Sequence, residues 1–157
     1  MRRKEKEIQN QEVLDELLRS ARVCRIGLGP VSAEMDGNGY PYVVPVHFVY
    51  SEGRIYIHSD REGRKIDMLT RNPRVCVEID EYLGLFPAEK ACDYGSRYRS
   101  LIAFGRAKVV EAEEEKRRAL QLLMGKYTGR SFDFSAREVM SVGIIEIQLE
   151  EVTGKQG

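Results

Sequence analysis

"YVVPVHFVYSEGRIYIHSDREGRK", residues 42–65, carries the pattern that decides the fold. Residues 42–50 are rich in β-branched and aromatic side chains, which suit a pleated, half-buried strand. Pro45 has no N–H to give a ladder, so it marks an edge or a bulge. Ser51-Glu52-Gly53 reads as a tight turn, and Arg54–Ser59 as the returning arm of a hairpin. That hairpin places Pro45, Val46 and His47 beside Ile57 and His58. A short charged stretch follows, and Arg64-Lys65 then open a helix, "GRKIDMLTRNP". Ile66 and Leu69 turn inward there, and Asn72-Pro73 ends it.

Two cations at a helix start raise a question of charge. The first turn already presents unpaired N–H groups and partial positive charge. Basic side chains add to it, which costs energy unless an anion is held there. Phosphate suits this chemistry, because arginine binds it bidentately and lysine as a point charge. Ser59 adds a hydroxyl donor. An apolar strip leading to an anion site suits a flat ring system bearing a phosphate. The plainer reading is a solvated helix start. His47 and His58 read either as hydrogen-bonded structural residues or as ligands of a metal or haem iron. No cysteine or carboxylate completes a recognisable ligand set beside them.

The same strand pattern extends outward. "RVCRIGL" (22–28) predicts a first strand, and "VSAEMDGNGYP" (31–41) a hairpin loop turning on Gly-Asn-Gly. "RVCVEID" (74–80) predicts a further strand, followed by an irregular stretch. "RYRSLIAFGRAKVVE" (97–111) predicts a long strand bending at Gly105. In "VGIIEIQLEEV" (142–152), Ile145, Ile147 and Leu149 alternate with Glu146, Gln148 and Glu150. "NQEVLDELLRSA" (10–21) predicts a helix capped by Asn10, with Leu14, Leu17, Leu18 and Ala21 on one face. "EAEEEKRRALQLLMGKY" (111–127) predicts an amphipathic helix. About six short-spaced strands with intervening helices predict a mainly β architecture, a small barrel. Arg97, Tyr98, Arg99 and Ser100 at a strand entrance read as a charge-defended edge, or as a second pocket wall from another subunit.

Composition bounds the answer. A chain of 157 residues with 42% hydrophobic content predicts one domain, 1–157, with an N-terminal helical segment over 1–21. No apolar run approaches the ~20 residues of a membrane span. The basic opening "MRRKEKEIQNQEV" is followed by no apolar segment, unlike a secretory signal. A formal net charge of zero argues against nucleic acid as partner. Cys24, Cys76 and Cys92 are odd in number and widely spaced, which argues against a disulfide framework or a zinc site and for a reduced, cytoplasmic compartment.

Taken together, "RVCRIGL", "YVVPVHFVY", "GRIYIHSDREGRKIDMLTRNPRVCVEID", "ACDYGSRYRSLIAFGRAKVVE", "EEKRRALQLLMGKYTG" and "TGKQ" resemble the pyridoxamine 5'-phosphate oxidase-like, flavin-binding split-barrel superfamily. Within it the chain is most similar to the nitroimidazole-resistance proteins. The resemblance covers nearly everything from about residue 20. It implies a six-stranded split β-barrel of the FMN-binding type that forms a homodimer, with one FMN at each of two subunit interfaces. It implies that Val44, Pro45, Val46 and His47 run along the flavin ring. Ile57, His58 and Ser59 would contact flavin and phosphate, Arg64 and Lys65 would bind the phosphate, and Arg99 and Ser100 would come from the same or the neighbouring subunit. The chain carries His47 and His58 where the oxidases carry lysine and threonine. It also lacks their C-terminal arginine and histidine pattern, which points away from pyridoxamine phosphate as substrate.

The implied activity is an FMN-dependent oxidoreductase that reduces a small planar acceptor such as a nitroaromatic. Its electron donor would be NAD(P)H, and His47 or His58 would donate a proton. The alternative is a non-catalytic protein that stores or senses flavin or haem.

Overall fold

The alternating runs become a ring of six antiparallel strands in the computed structural model, which describes residues 3–29 and 40–157. In chain order these are β1 (Val23–Leu28), β2 (Tyr42–Ser51), β3 (Arg54–Ser59), β4 (Arg74–Phe86), β5 (Gly95–Val110) and β6 (Gly143–Gln156). Around the ring the order is β1-β2-β3-β6-β5-β4, and pairing of β1 with β4 closes it. The expected barrel is therefore present. The Gly-Asn-Gly loop expected over 31–41 lies almost wholly outside the described residues.

The ring is split along one seam. β1 pairs with β2 from Tyr42 to His47, whereas β3 pairs with β2 only from Phe48 to Ser51. Among the described residues, 42–47 of β2 thus have one strand neighbour and one open edge. Pro45 sits on that edge, where a missing N–H breaks no second ladder. The hairpin pairs Phe48 with Ile57 and goes no further, so His47 and His58 fall just past its last rung. The expected pairing of Pro45, Val46 and His47 against Ile57 and His58 is corrected accordingly: Ile57 lies beside Phe48.

Inward side chains of all six strands fill the barrel. Ile26, Phe48, Ile55, Ile57, Val77, Ile79, Leu101, Ala103, Ile145 and Ile147 are fully buried, and the Cys24 thiol lies among them. Helix α1 (Gln11–Ser20) adds Leu14, Leu17 and Leu18 to this core, and Asn10 caps it by accepting from the Glu12 N–H at 2.9 Å. Helix α2 (Arg64–Arg71) buries Met68 and Leu69, with Ile66 half-buried beside them. Helix α3 (Glu113–Thr128) lies against the outside of the barrel, where Ala119 and Leu123 pack on Val49, Tyr56, Val110 and Ile144. Gly129, at φ 68°, ends it in the left-handed conformation that glycine adopts without penalty.

Three features depart from the sequence reading. β4 runs on to Phe86, so most of the stretch expected to be irregular is a ribbon paired with β5. Glu146 does not face solvent: it is 8% exposed and is held by Arg54 at 3.6 Å and Lys108 at 3.3 Å. A short helix α4 (Ala136–Ser141) precedes β6, started by a capping box in which Ser135 and Glu138 satisfy each other's backbone N–H groups. The bend at Gly105 is real, because the β5–β6 register shifts between Phe104 and Gly105. No helix among the described residues is long and apolar enough to cross a membrane.

Candidate functional site

The strand β3 ends at Ser59, and after four residues the chain turns into α2 through Gly63, whose φ of 115° a side chain would strain. Between strand end and helix start lies a surface cavity of about 390 Å³, lined by Tyr42, His58, Ser59, Asp60, Glu62, Gly63, Arg64 and Lys65. No side chain caps the first turn of α2, so its backbone donors remain available. The Arg64 guanidinium stacks 4.9 Å from the Tyr42 ring centroid. Lys65 is half-buried. Burial pushes its ammonium below the ordinary lysine range, and the nearby Asp60 charge partly restores it.

Ser59 is the most telling member. It is only 8% exposed, yet its hydroxyl has no hydrogen-bond partner among the described residues. A buried hydroxyl usually finds one. An orphan hydroxyl, an uncapped helix start and two cations fit an anion with several acceptor oxygens, such as a phosphate monoester. Asp60 and Glu62 line the same cavity and set a limit on this. The Asp60 charge already acts on Lys65, and a phosphate there would meet both carboxylates as like charge.

The other expected residues are arranged as follows. Pro45 and His47 are exposed on one face of β2, and Val44 and Val46 are half-buried on the other. The four therefore share a backbone edge and alternate between two faces, and do not form one row of side chains. Ile57 is fully buried and serves as core. His58 is exposed and lines the cavity. His47 belongs to a different neighbourhood, with its ring centroid 4.9 Å from that of Tyr127 on α3. Among the described residues no three His, Cys, Asp or Glu side chains converge as metal ligands.

Arg99 and Ser100 lie elsewhere in the chain. Ser59 pairs with Gly143 at the start of β6, whereas Arg99 pairs with Gln156 at its end. The two positions stand at opposite ends of a strand with a contour length of about 40 Å. Within one chain Arg99 instead reaches Glu16 of α1 at 3.5 Å. A single subunit does not bring these residues to the cavity. Sequence reasoning also missed Tyr42, Asp60, Glu62 and Tyr127. Asp60 and Glu62 adjoin the basic pair and were within reach of the sequence, whereas Tyr42 meets Arg64 only through the fold. The contact of Tyr127 with β2 has no local signal.

A split ring of six strands with a cavity between β3 and α2 defines the class of the flavin-type split barrels. A sequence profile of the pyridoxamine 5'-phosphate oxidase family matches residues 10–156, and the chain belongs to that family. Among solved structures, the chain is 33% identical to a candidate 5-nitroimidazole antibiotic resistance protein from Bacteroides thetaiotaomicron. The TM-score is 0.81, over 96% of this chain and 86% of that one. It shares the fold of the flavocytochrome Anf3 from Azotobacter vinelandii, with TM-score 0.83 and 22% identity over 100% of this chain and 72% of that one. The FAD and heme binding protein from Mycobacterium smegmatis is similar at TM-score 0.83 and 21% identity, over 97% and 73% of the two chains. No curated protein matches the chain.

Proposed function

We propose that this protein is a flavin-dependent oxidoreductase that holds FMN and reduces a small planar acceptor, of which a nitroaromatic is the type. The cavity between Ser59 and Arg64-Lys65 carries the reading, because it offers a phosphate monoester an orphan hydroxyl, two cations and free helix N–H groups. The similarity to the Bacteroides protein supports the choice of acceptor, and the flavin-binding neighbours support the cofactor. When bound, the flavin supplies the redox chemistry, with NAD(P)H as the proposed donor and the cytoplasm as the proposed compartment. The protein's own part is to anchor the phosphate, to lay the open edge of β2 along the ring, and to offer an imidazole for proton donation. His47 and His58 are the two candidates.

The working unit in this proposal is a homodimer. Arg99 and Ser100 are beyond reach of the cavity in their own chain, so they would serve the site of a second copy.

Titration of the purified protein with FMN and with riboflavin tests the anchor. R64A/K65A is expected to weaken FMN binding about ten- to a hundredfold, the value of roughly 1.5–3 kcal/mol of charge-assisted bonding. Riboflavin, with the same ring and no phosphate, should lose far less. Equal losses for both would refute the phosphate site. Flavin absorption bands that bleach with NAD(P)H and recover with a nitroaromatic would support the enzyme. A Soret band in place of flavin bands would replace this reading with a haem protein.

A further inference from the structure

The C-terminal end of α3 does more than cover the barrel. β1 and β2 begin to pair at Val23 and His47, so the next rung would join Arg22 to Phe48. Tyr127 occupies that place. Its hydroxyl accepts from the Phe48 N–H at 2.9 Å and has two carbonyls within reach of its one proton, those of Arg22 at 2.5 Å and Phe48 at 3.0 Å. The side chain thereby ties both strands at the end of the split seam. Burial raises the hydroxyl above the ordinary tyrosine range, which keeps it a donor. The adjacent Lys126 fixes the same corner, with its ammonium bonded to the Ala21 carbonyl at 2.6 Å and 3.8 Å from the Phe48 ring centroid. Arg22 stacks on the Tyr127 ring at 5.4 Å. The ring also meets the imidazole of His47, tilted at 42°.

We propose that Tyr127 is a positioning residue for His47, holding its imidazole at the open edge of β2 where a bound planar ring would lie. This rests on the flavin reading above. A histidine on an exposed strand face has free rotamers, and ordering it on ligand binding costs entropy. A ring locked by three backbone groups removes part of that cost beforehand.

The chain has two histidines, so their imidazole signals separate cleanly by NMR. At one fixed pH without flavin, the His47 signal should be displaced by the tyrosine ring current. It should lose that displacement in Y127L and lose part of it in Y127F, whose ring remains but is no longer tied by the hydroxyl, while His58 stays put. Circular dichroism checks that each variant is folded, and Y127F keeps the test usable where Y127L is not. In the second arm, H47A and Y127L should each weaken FMN binding by a similar factor, and the double variant no further. An unmoved His47 signal in Y127L overturns the proposal. So do equal shifts of both histidines, or additive losses in the double variant. Absence of flavin binding by the unaltered protein overturns the flavin reading and the catalytic sense of this proposal with it. The NMR arm then still decides whether Tyr127 orders His47.

Discussion

Gly143 shows how one missing methyl group shapes the cavity. It opens β6 opposite Ser59, and a Cβ built on it would stand 2.5 Å from the Asp60 carbonyl oxygen and 2.9 Å from that of Ser59. Both neighbours are backbone, so neither can swing aside. Gly143→Ala should force β6 away from the end of β3, destabilise the fold by about 1–3 kcal/mol as overpacking does, and weaken FMN binding along with it. Gly125 gives the opposite sign. It lies inside α3 with open space where a Cβ would go, so Gly125→Ala should stabilise by about 0.5–1 kcal/mol. Urea melts of the two variants check both signs, and a stable Gly143→Ala protein of unchanged affinity would show that the close approach does not shape the site. Ser59, Arg64 and Lys65 were legible in the sequence because strand end, hydroxyl and basic pair lie within seven residues of one another. Tyr127 was not, since only closure of the barrel brings α3 to the end of β1 and β2.

At the level of elements, the end of α3 carries a pH signature. Burial pushes the Lys126 ammonium down to about 8 from its ordinary value of 10.5, with the Arg22 charge adding to the shift. A folded-state value below the unfolded one means that the unfolded chain binds more protons between the two. Lys126 therefore penalises folding below about pH 8, and the penalty is relieved as pH rises toward 10.5. Between pH 7 and 9 the unaltered protein should gain thermal stability relative to K126M, and a gap that stays constant or moves the other way would contradict this. The upper bound keeps the Cys24 thiol, pushed up to about 12, out of the comparison. Elements were read well from sequence where one face met the core and the other met water. Glu146 broke that rule because α3 and its neighbours cover the outside of β6, so Ile144 and Glu146 are buried beside Ile145 and Ile147. The far half of β4 was unreadable for the converse reason: both faces of its ribbon are bare, no alternation develops, and the register slips at Leu83, between the Tyr82 and Gly84 rungs. Helix α4 is six residues long and left only its Ser135–Glu138 capping box as a sign.

For the molecule as a whole, that bare ribbon is the largest unexplained expense. Tyr82 is 64% and Leu85 61% exposed, with Leu83, Phe86 and Tyr94 also open to water. A two-stranded ribbon with two exposed faces is marginal alone. Apolar patches of this kind mark association surfaces. The homodimer proposed above would cover the ribbon with a second copy, and would also account for the distance of Arg99 and Ser100 from the cavity. Y82D/L85D should shift sedimentation from dimer toward monomer and lower flavin affinity together, because a ligand held across two chains is linked to their association. A monomeric unaltered protein that retains flavin on dilution would end the dimer proposal.

The position of β6 in the ring bears on how the protein is made. It is the last of the six strands in chain order, yet it lies between β3 and β5, pairing with β3 from Gly143 to Gln148 and with β5 from Ile144 to Gln156. Until it emerges, β3 and β5 each keep a bare edge, and no ring exists for α3 to seal. The nascent chain must carry those edges for as long as translation of β6 takes, and unpaired edges are where strands of different chains find each other. Slow elongation over residues 143–156 should thus favour aggregation over yield.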